Sequence, residues 1–146
     1  MSTSIQVVID CADPAKLSQF WATALHYKLD DPPPGFDSWP AFLEAQGVPE
    51  SEWNSASAVS DPDGNGPRIY FQQVPEAKQV KNRVHLDLNV GGGSATPLEQ
   101  RQESIASEVT RLEEAGARVA KPGAVGRFGE YWVIMQDPEA NEFCLQ

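Results

Sequence analysis

The sequence predicts an α+β protein made of two tandem βαβββ modules, about residues 1 to 78 and 79 to 146. Three observations carry that expectation. Each half opens with an alternating strand pattern followed by an amphipathic helix. Each half also closes on a strand entered through an Asp-Pro turn, "DPDG" from Asp61 and "DPEAN" from Asp137. The closing strands, "RIYFQQ" and "NEFCLQ", then repeat the same alternation of apolar and polar residues. Such internal repetition marks a chain assembled from a duplicated supersecondary unit.

In the first module, "SIQVVIDC" alternates Ile5, Val7 and Ile9 with Gln6, Val8 and Asp10, a half-buried strand. In "ADPAKLSQFWATAL", Asp13 is placed to cap a helix, Pro14 suits its first turn, and Leu17, Phe20, Trp21, Ala24 and Leu25 form one apolar stripe. Short strands are expected in "HYKLD", "SASAVS" and "RIYFQQV". An insertion at about residues 30 to 54 breaks the symmetry between modules: its prolines exclude regular structure at the start, and "WPAFLEAQG" predicts a short helix. Phe36, Trp39, Phe42 and Trp53 make the insertion a packed lid or wall, since a solvated linker would expose too much aromatic surface.

The second module opens with "NRVHLDLNV", where Val84, Leu86, Leu88 and Val90 alternate with His85, Asp87 and Asn89. After the connector "GGGSATP", Leu98, Ile105, Val109 and Leu112 keep helical spacing, with a stop at Gly116. "ARVAKPG", "YWVIMQ" and "NEFCLQ" supply three strands. By the two-residue strand period, Phe143 and Leu145 belong to the helix side with Ile69 and Phe71. That leaves Gln6, Arg68, Tyr70, Gln72, His85, Glu142 and Cys144 on the other face.

Composition narrows the function classes. A net charge of -10 over 146 residues disfavours nucleic acid and anionic membrane partners, whose recognition rests on Lys and Arg. No apolar run reaches the roughly 20 residues of a membrane span, and the first residues lack the flank and core of a signal peptide, so a cytoplasmic protein is expected. Cys11 and Cys144 are expected as free thiols.

The duplicated pattern, "DPAKLSQFW" after the first strand, the paired turns, the join "VPEAKQVKNRVHLDL" and the ending "WVIMQDPEANEFCLQ" resemble the vicinal oxygen chelate superfamily, and within it the glyoxalase-like, bleomycin-resistance-like proteins of bacteria. The resemblance implies a curved mixed sheet around a central cleft, helices outside, a small-molecule ligand and a homodimer. It also implies, for metal-dependent members, a divalent cation held by one residue on the first strand and one on the last strand of each module, commonly His or Gln and then Glu. The first-strand positions match Gln6 and His85. The last-strand positions match Cys144 and either Tyr70 or Gln72, with Gly66 and Pro67 lengthening the first turn. Both carboxylates of that pattern are missing, a departure from an oxygen-rich octahedral site.

The expected cleft therefore comprises Gln6, Trp39, Trp53, Tyr70, Gln72, His85, Asp87 and Cys144. No cofactor is expected, or at most a divalent metal on Gln6, Gln72, His85 and Cys144. His85 and Cys144 are the candidate catalytic pair; the competing readings are a hydrogen-bonded cleft histidine and an inert wall thiol. Asp87 either orients His85 or pairs with Arg68 or Arg83, and His26 is a helix-end residue. Passive binding of a small organic molecule is the favoured function, with a metal-dependent lyase, isomerase or dioxygenase and a metal-free enzyme using His85 or Cys144 as alternatives.

Overall fold

The computed structural model describes residues 1 to 146, in two compact units, Met1–Ala77 and Lys78–Gln146. Unit 1 contains β1 (Val7–Cys11), α1 (Pro14–Leu25), β2 (Lys28–Leu29), α2 (Trp39–Ala45), β3 (Ala56–Ser60) and β4 (Ile69–Gln73). Unit 2 contains β5 (Asp87–Leu88), α3 (Leu98–Glu114), β6 (Arg118–Val125), β7 (Tyr131–Gln136) and β8 (Glu142–Leu145). Each unit forms one four-stranded mixed sheet, in the orders β1-β4-β3-β2 and β5-β8-β7-β6. The two orders are the same topology written twice: in each, the first and last strands pair parallel at one edge and the rest is antiparallel.

Local sequence explains the helices. Asp13 accepts a hydrogen bond from the Lys16 backbone N–H and Pro14 occupies the first turn of α1. The side chain of Asn54 secures the same helix start, donating to Asp13 Oδ1 and accepting from the Ala15 N–H, both at 2.8 Å. Leu17, Phe20, Trp21 and Ala24 bury the predicted stripe against the sheet face bearing Ile69 and Phe71. The buried Ser18 on that stripe receives a hydrogen bond from Ser57 of β3 at 2.8 Å. His26 ends α1 in the left-handed conformation, an exposed helix-end residue as expected. In unit 2, Ile105 and Leu112 of α3 are buried, as are Val133, Met135, Phe143 and Leu145.

Strand parity follows the sequence pattern, but strand lengths do not. Val7 pairs with Ile69 and Ile9 with Phe71, so the core face of β1 is the predicted one. Ile5 and Val84, expected on that face, are 73% and 81% exposed. Pairing explains both corrections: the β1–β4 ladder starts at Val7 and the β5–β8 ladder at Asp87, so each of these residues precedes the edge that α1 or α3 covers. β5 is also shorter than its nine-residue pattern. After Leu88 the chain bends, and the N–H groups of Val90 and Gly91 both donate to the Gln146 carbonyl. Neither cysteine is in a disulfide; Cys11 is buried and Cys144 half-buried.

The two Asp-Pro turns are built alike. Asp61 accepts from the N–H groups of Asp63, Asn65 and Gly66, and Asp137 from those of Glu139 and Asn141. At the fourth position of each turn the backbone is left-handed, with φ of 72° at Gly64 and 67° at Ala140. Only the first of these suits its residue. Ala140→Gly is therefore expected to stabilise the protein by up to about 1 kcal/mol and Gly64→Ala to destabilise it by about as much, read from urea unfolding midpoints. Opposite signs are the expected result; equal signs would contradict this account of the turns.

Candidate functional site

The face of the unit 1 sheet away from α1 carries a cavity of about 660 Å³. Its floor is β3 and β4: Ala58 lies beside Tyr70 in the antiparallel register, and Ala56 lies one pleat along. The small side chains of Ala56 and Ala58 leave the space. Trp39 and Leu43 of α2, together with Val48 and Trp53, supply the walls, and Leu29 completes the apolar lining. The insertion therefore forms one side of the cavity, although no residue of α2 is buried and Trp39 is 42% exposed. Phe42 holds it together through edge-to-face contacts with Phe36 and Trp39 at 5.1 and 5.8 Å.

Both wall tryptophans are fixed by their indole N–H groups. Trp39 donates to the Asp30 carbonyl at 2.8 Å and Trp53 to the Val48 carbonyl at 3.0 Å. Asp30 does more than anchor Trp39. Its carboxylate accepts from Ser60 Oγ at 2.6 Å and from Arg68 Nε at 2.8 Å, while Arg68 Nη1 donates to Gln6 Oε1 at 2.8 Å. Ser60, Asp30, Arg68 and Gln6 thus tie together the ends of all four strands, with the Arg68 guanidinium 5.5 Å from the Tyr70 ring centroid. Arg68, considered as a partner for Asp87, is paired with Asp30.

In unit 2 the corresponding face gathers His85, Asp87 and Cys144. His85 Nδ1 is 3.1 Å from Asp87 Oδ1, and one ligand-type atom from each of the three side chains lies within 4.8 Å of the others. The parallel register sets Asp87 beside Cys144, and the two-residue period brings His85 to the same face. Burial pushes the Cys144 thiol above its ordinary pKa, and the adjacent Asp87 carboxylate pushes it further. A thiol so placed is held protonated, which argues against a ready nucleophile. Glu142, the carboxylate two residues earlier, is committed elsewhere. It accepts from the Asn82 N–H at 3.0 Å and pairs with Lys78 at 3.1 Å. Burial alone would raise its pKa, but those partners prevail and hold it at about 2.

Register also decides which unit 1 residue matches Cys144. Gln6 stands two residues before Val8, which pairs with Tyr70, as His85 stands two before Asp87, which pairs with Cys144. Tyr70 therefore takes the last-strand position. Gln72 lies one pleat further on, exposed and outside the cavity. These donors do not fit an oxygen-rich divalent site: Gln6 is engaged by Arg68, and the two carboxylate positions hold a phenol and a thiol.

The cavity brings together Trp39, Trp53 and Tyr70 among the residues singled out from sequence; Asp30, Leu29, Leu43, Val48, Asn54, Ala56 and Ala58 were not singled out for the site. The legible signal for two of them was the run of small residues in "SASAVS", unusual for a buried strand.

A family model for the Glyoxalase-like domain matches residues 6 to 146. The chain belongs to the Glyoxalase-like domain family. Solved structures agree on the fold. A glyoxalase/bleomycin resistance protein/dioxygenase family enzyme from Burkholderia phytofirmans PsJN superposes with a TM-score of 0.63 at 15% identity, covering 96% of this chain and 94% of its own. A mutant of the fosfomycin resistance protein FosX from Listeria monocytogenes, complexed with Mn(II) and 1S,2S-dihydroxypropylphosphonic acid, gives 0.64 at 13% identity, covering 100% and 92%. TioX from Micromonospora sp. ML1 gives 0.54 at 11%, covering 99% and 97%. No curated protein matches the chain in sequence. The glyoxalase-like fold is that of the vicinal oxygen chelate superfamily, as the resemblance implied. No helix of this family member is long and apolar enough to cross a membrane.

The Cys144 environment has a measurable consequence. Iodoacetamide should alkylate this thiol slowly at neutral pH, with the rate rising only above the ordinary thiol range, because reaction requires the thiolate that Asp87 disfavours. Asp87→Asn removes the opposing charge and should speed alkylation at pH 7.5 severalfold. An unchanged or slower rate in that variant would contradict the assignment.

Proposed function

We propose that the protein binds a small, largely apolar aromatic molecule in the unit 1 cavity and holds it without chemical change. The observation that carries this reading is the cavity itself: about 660 Å³, floored by Ala56, Ala58 and Tyr70 and walled by two tryptophans whose positions are fixed by hydrogen bonds. That volume lies in the range of small-molecule sites, and an apolar lining with a few polar groups at its rim is their usual composition. Tyr70 and the tryptophans offer ring faces for offset stacking. Glu52 and the Tyr70 hydroxyl add polar atoms to the lining that would orient a ligand.

Passive binding is supported over catalysis by the state of the ionisable groups lining the cavity. Arg68 is neutralised by Asp30, no histidine or cysteine belongs to the lining, and Glu52 is the one further ionised side chain there. Family membership supports a ligand-binding role in general terms and leaves the activity open, because one fold of this kind hosts many chemistries.

The neutral dye Nile red tests the proposal. The parent protein should enhance its fluorescence saturably at one site. Ala56→Phe, at an exposed position on the cavity floor, should fill the space and weaken binding at least about tenfold, and Trp39→Ala should weaken it by about 1 to 2 kcal/mol through lost stacking. Binding that neither variant alters would exclude this cavity as the site.

A further inference from the structure

The charges around the unit 1 cavity do not cancel. Asp30, Arg68 and Glu52 are the ionised residues of its lining, and the first two form an ion pair at 2.8 Å. Glu52 pairs with no lysine, arginine or histidine of the chain, so one negative charge is left over. We propose that the ligand of this cavity is an aromatic monocation, bound with its ammonium group at the Glu52 end and its ring over the alanine floor. The proposal rests on the passive-binding reading above and adds to it the charge of the ligand and its direction in the site.

Strand geometry sets the direction. Glu52 stands just before the start of β3: the Ser55 N–H and Oγ both donate to the Glu52 carbonyl, at 3.1 and 2.6 Å, and Ala56 follows. Arg68 and Asp30 meet at the other end of that strand, where Ser60 Oγ donates to Asp30. The extended chain from Ala56 to Ser60 spans roughly 13 Å at the usual rise per residue. The unbalanced carboxylate and the one cation of the lining therefore stand at opposite ends of β3. Arg68 is also engaged already. Its guanidinium donates to Asp30 and Gln6 and lies 5.5 Å from the Tyr70 ring centroid, so it offers little net charge to an anion.

Two features favour a cation at the Glu52 end. The carboxylate attracts it directly, and the neighbouring Trp53 brings an indole to the lining, the aromatic ring whose face attracts cations best. The hydrogen bond from Trp53 Nε1 to the Val48 carbonyl at 3.0 Å holds that ring through its edge and leaves the faces uncommitted. Glu52 is an exposed residue, so its attraction is screened by salt and extends about 10 Å at 0.1 M ionic strength. Glu52 and Trp53 both belong to the insertion, and neither occupies a first-strand or last-strand position.

The test uses the full chain and measures displacement of Nile red by a matched pair, benzyltrimethylammonium and its neutral isostere neopentylbenzene, which differ in charge and hardly in shape. Glu52→Gln should weaken the cation at least about fivefold more than it weakens the isostere. Trp53→Leu, which keeps apolar bulk but removes the ring, should also cost the cation more than the isostere. In the parent, raising sodium chloride to about 0.5 M should weaken the cation selectively. Glu50→Gln removes an exposed carboxylate of the same turn that lies outside the lining, and it should leave the difference between the two probes unchanged. Far-ultraviolet circular dichroism confirms the fold of each variant. Equal weakening of both probes in Glu52→Gln would overturn the proposal. So would a selective loss in Glu50→Gln as large as in Glu52→Gln, which would assign the preference to the net charge of -10. Nile red binding that Ala56→Phe does not alter would remove the cavity and this proposal with it. Nile red binding that Ala56→Phe weakens, without charge selectivity between the probes, would overturn the cationic ligand alone and leave the passive-binding reading standing.

Discussion

Everything in this protein that bears on function depends on the parallel pairing of the first and last strands within each unit. Val7 opposite Ile69 and Leu88 opposite Leu145 set the parity of both sheets. Because side chains alternate with a period of two, one register decides two things together: which residues meet the helix and which line the open face. A slip of one residue in β4 would carry Phe71 and Ile69 out of the core and turn Tyr70 toward α1. The equivalent slip in β8 would exchange Phe143 and Leu145 for Cys144. With each of those four apolar side chains fully or almost fully buried, the helix-side core enforces the placement of the site residues.

The two units show how one topology yields two different surfaces. Ala58 neighbours Tyr70 in β3, and its counterpart in β7, beside Cys144, is Ile134. One pleat away, Ala56 corresponds to Trp132. Unit 1 keeps its floor low with two alanines and raises a wall from the insertion. Unit 2 covers the same positions with large side chains and has no insertion, and its open face instead concentrates polar donors. Asp30 links the wall to the sheet in unit 1, since its backbone carbonyl fixes Trp39 and its carboxylate joins β3 to β4 through Ser60 and Arg68. A single aspartate at the start of the insertion thereby couples the strand ends to the cavity wall.

Much of this was legible in the sequence, for identifiable reasons. Helix α1 was readable because Asp13 and Pro14 mark its start and its stripe is uninterrupted. Strand parity was readable because "RIYFQQ" and "NEFCLQ" alternate cleanly. The aromatic residues of the insertion signalled a lid or wall, and Trp39 and Trp53 do line the cavity, with Trp39 still 42% exposed. Strand ends were not readable: Ile5 and Val84 continue the apolar alternation, yet they lie beyond the pairing of the neighbouring strand, a long-range property that periodicity does not encode. The choice between Tyr70 and Gln72 likewise required the register. Asp30 carried no local signal at all, because its importance comes from Arg68, Ser60 and Trp39 converging on it from separate segments.

The central claim is that ligand recognition belongs to the unit 1 face, between the alanine floor and the tryptophan wall. Proton–nitrogen correlation spectra during titration with a planar quinoline carboxamide test it most directly, because the chain has 4 tryptophans and each indole N–H reports separately. The account predicts shifts concentrated on the Trp39 and Trp53 indoles and on the backbone amides of Ala56, Ala58 and Tyr70, with Trp21 and Trp132 still. Shifts centred on His85, Asp87, Cys144 and Trp132 would contradict it.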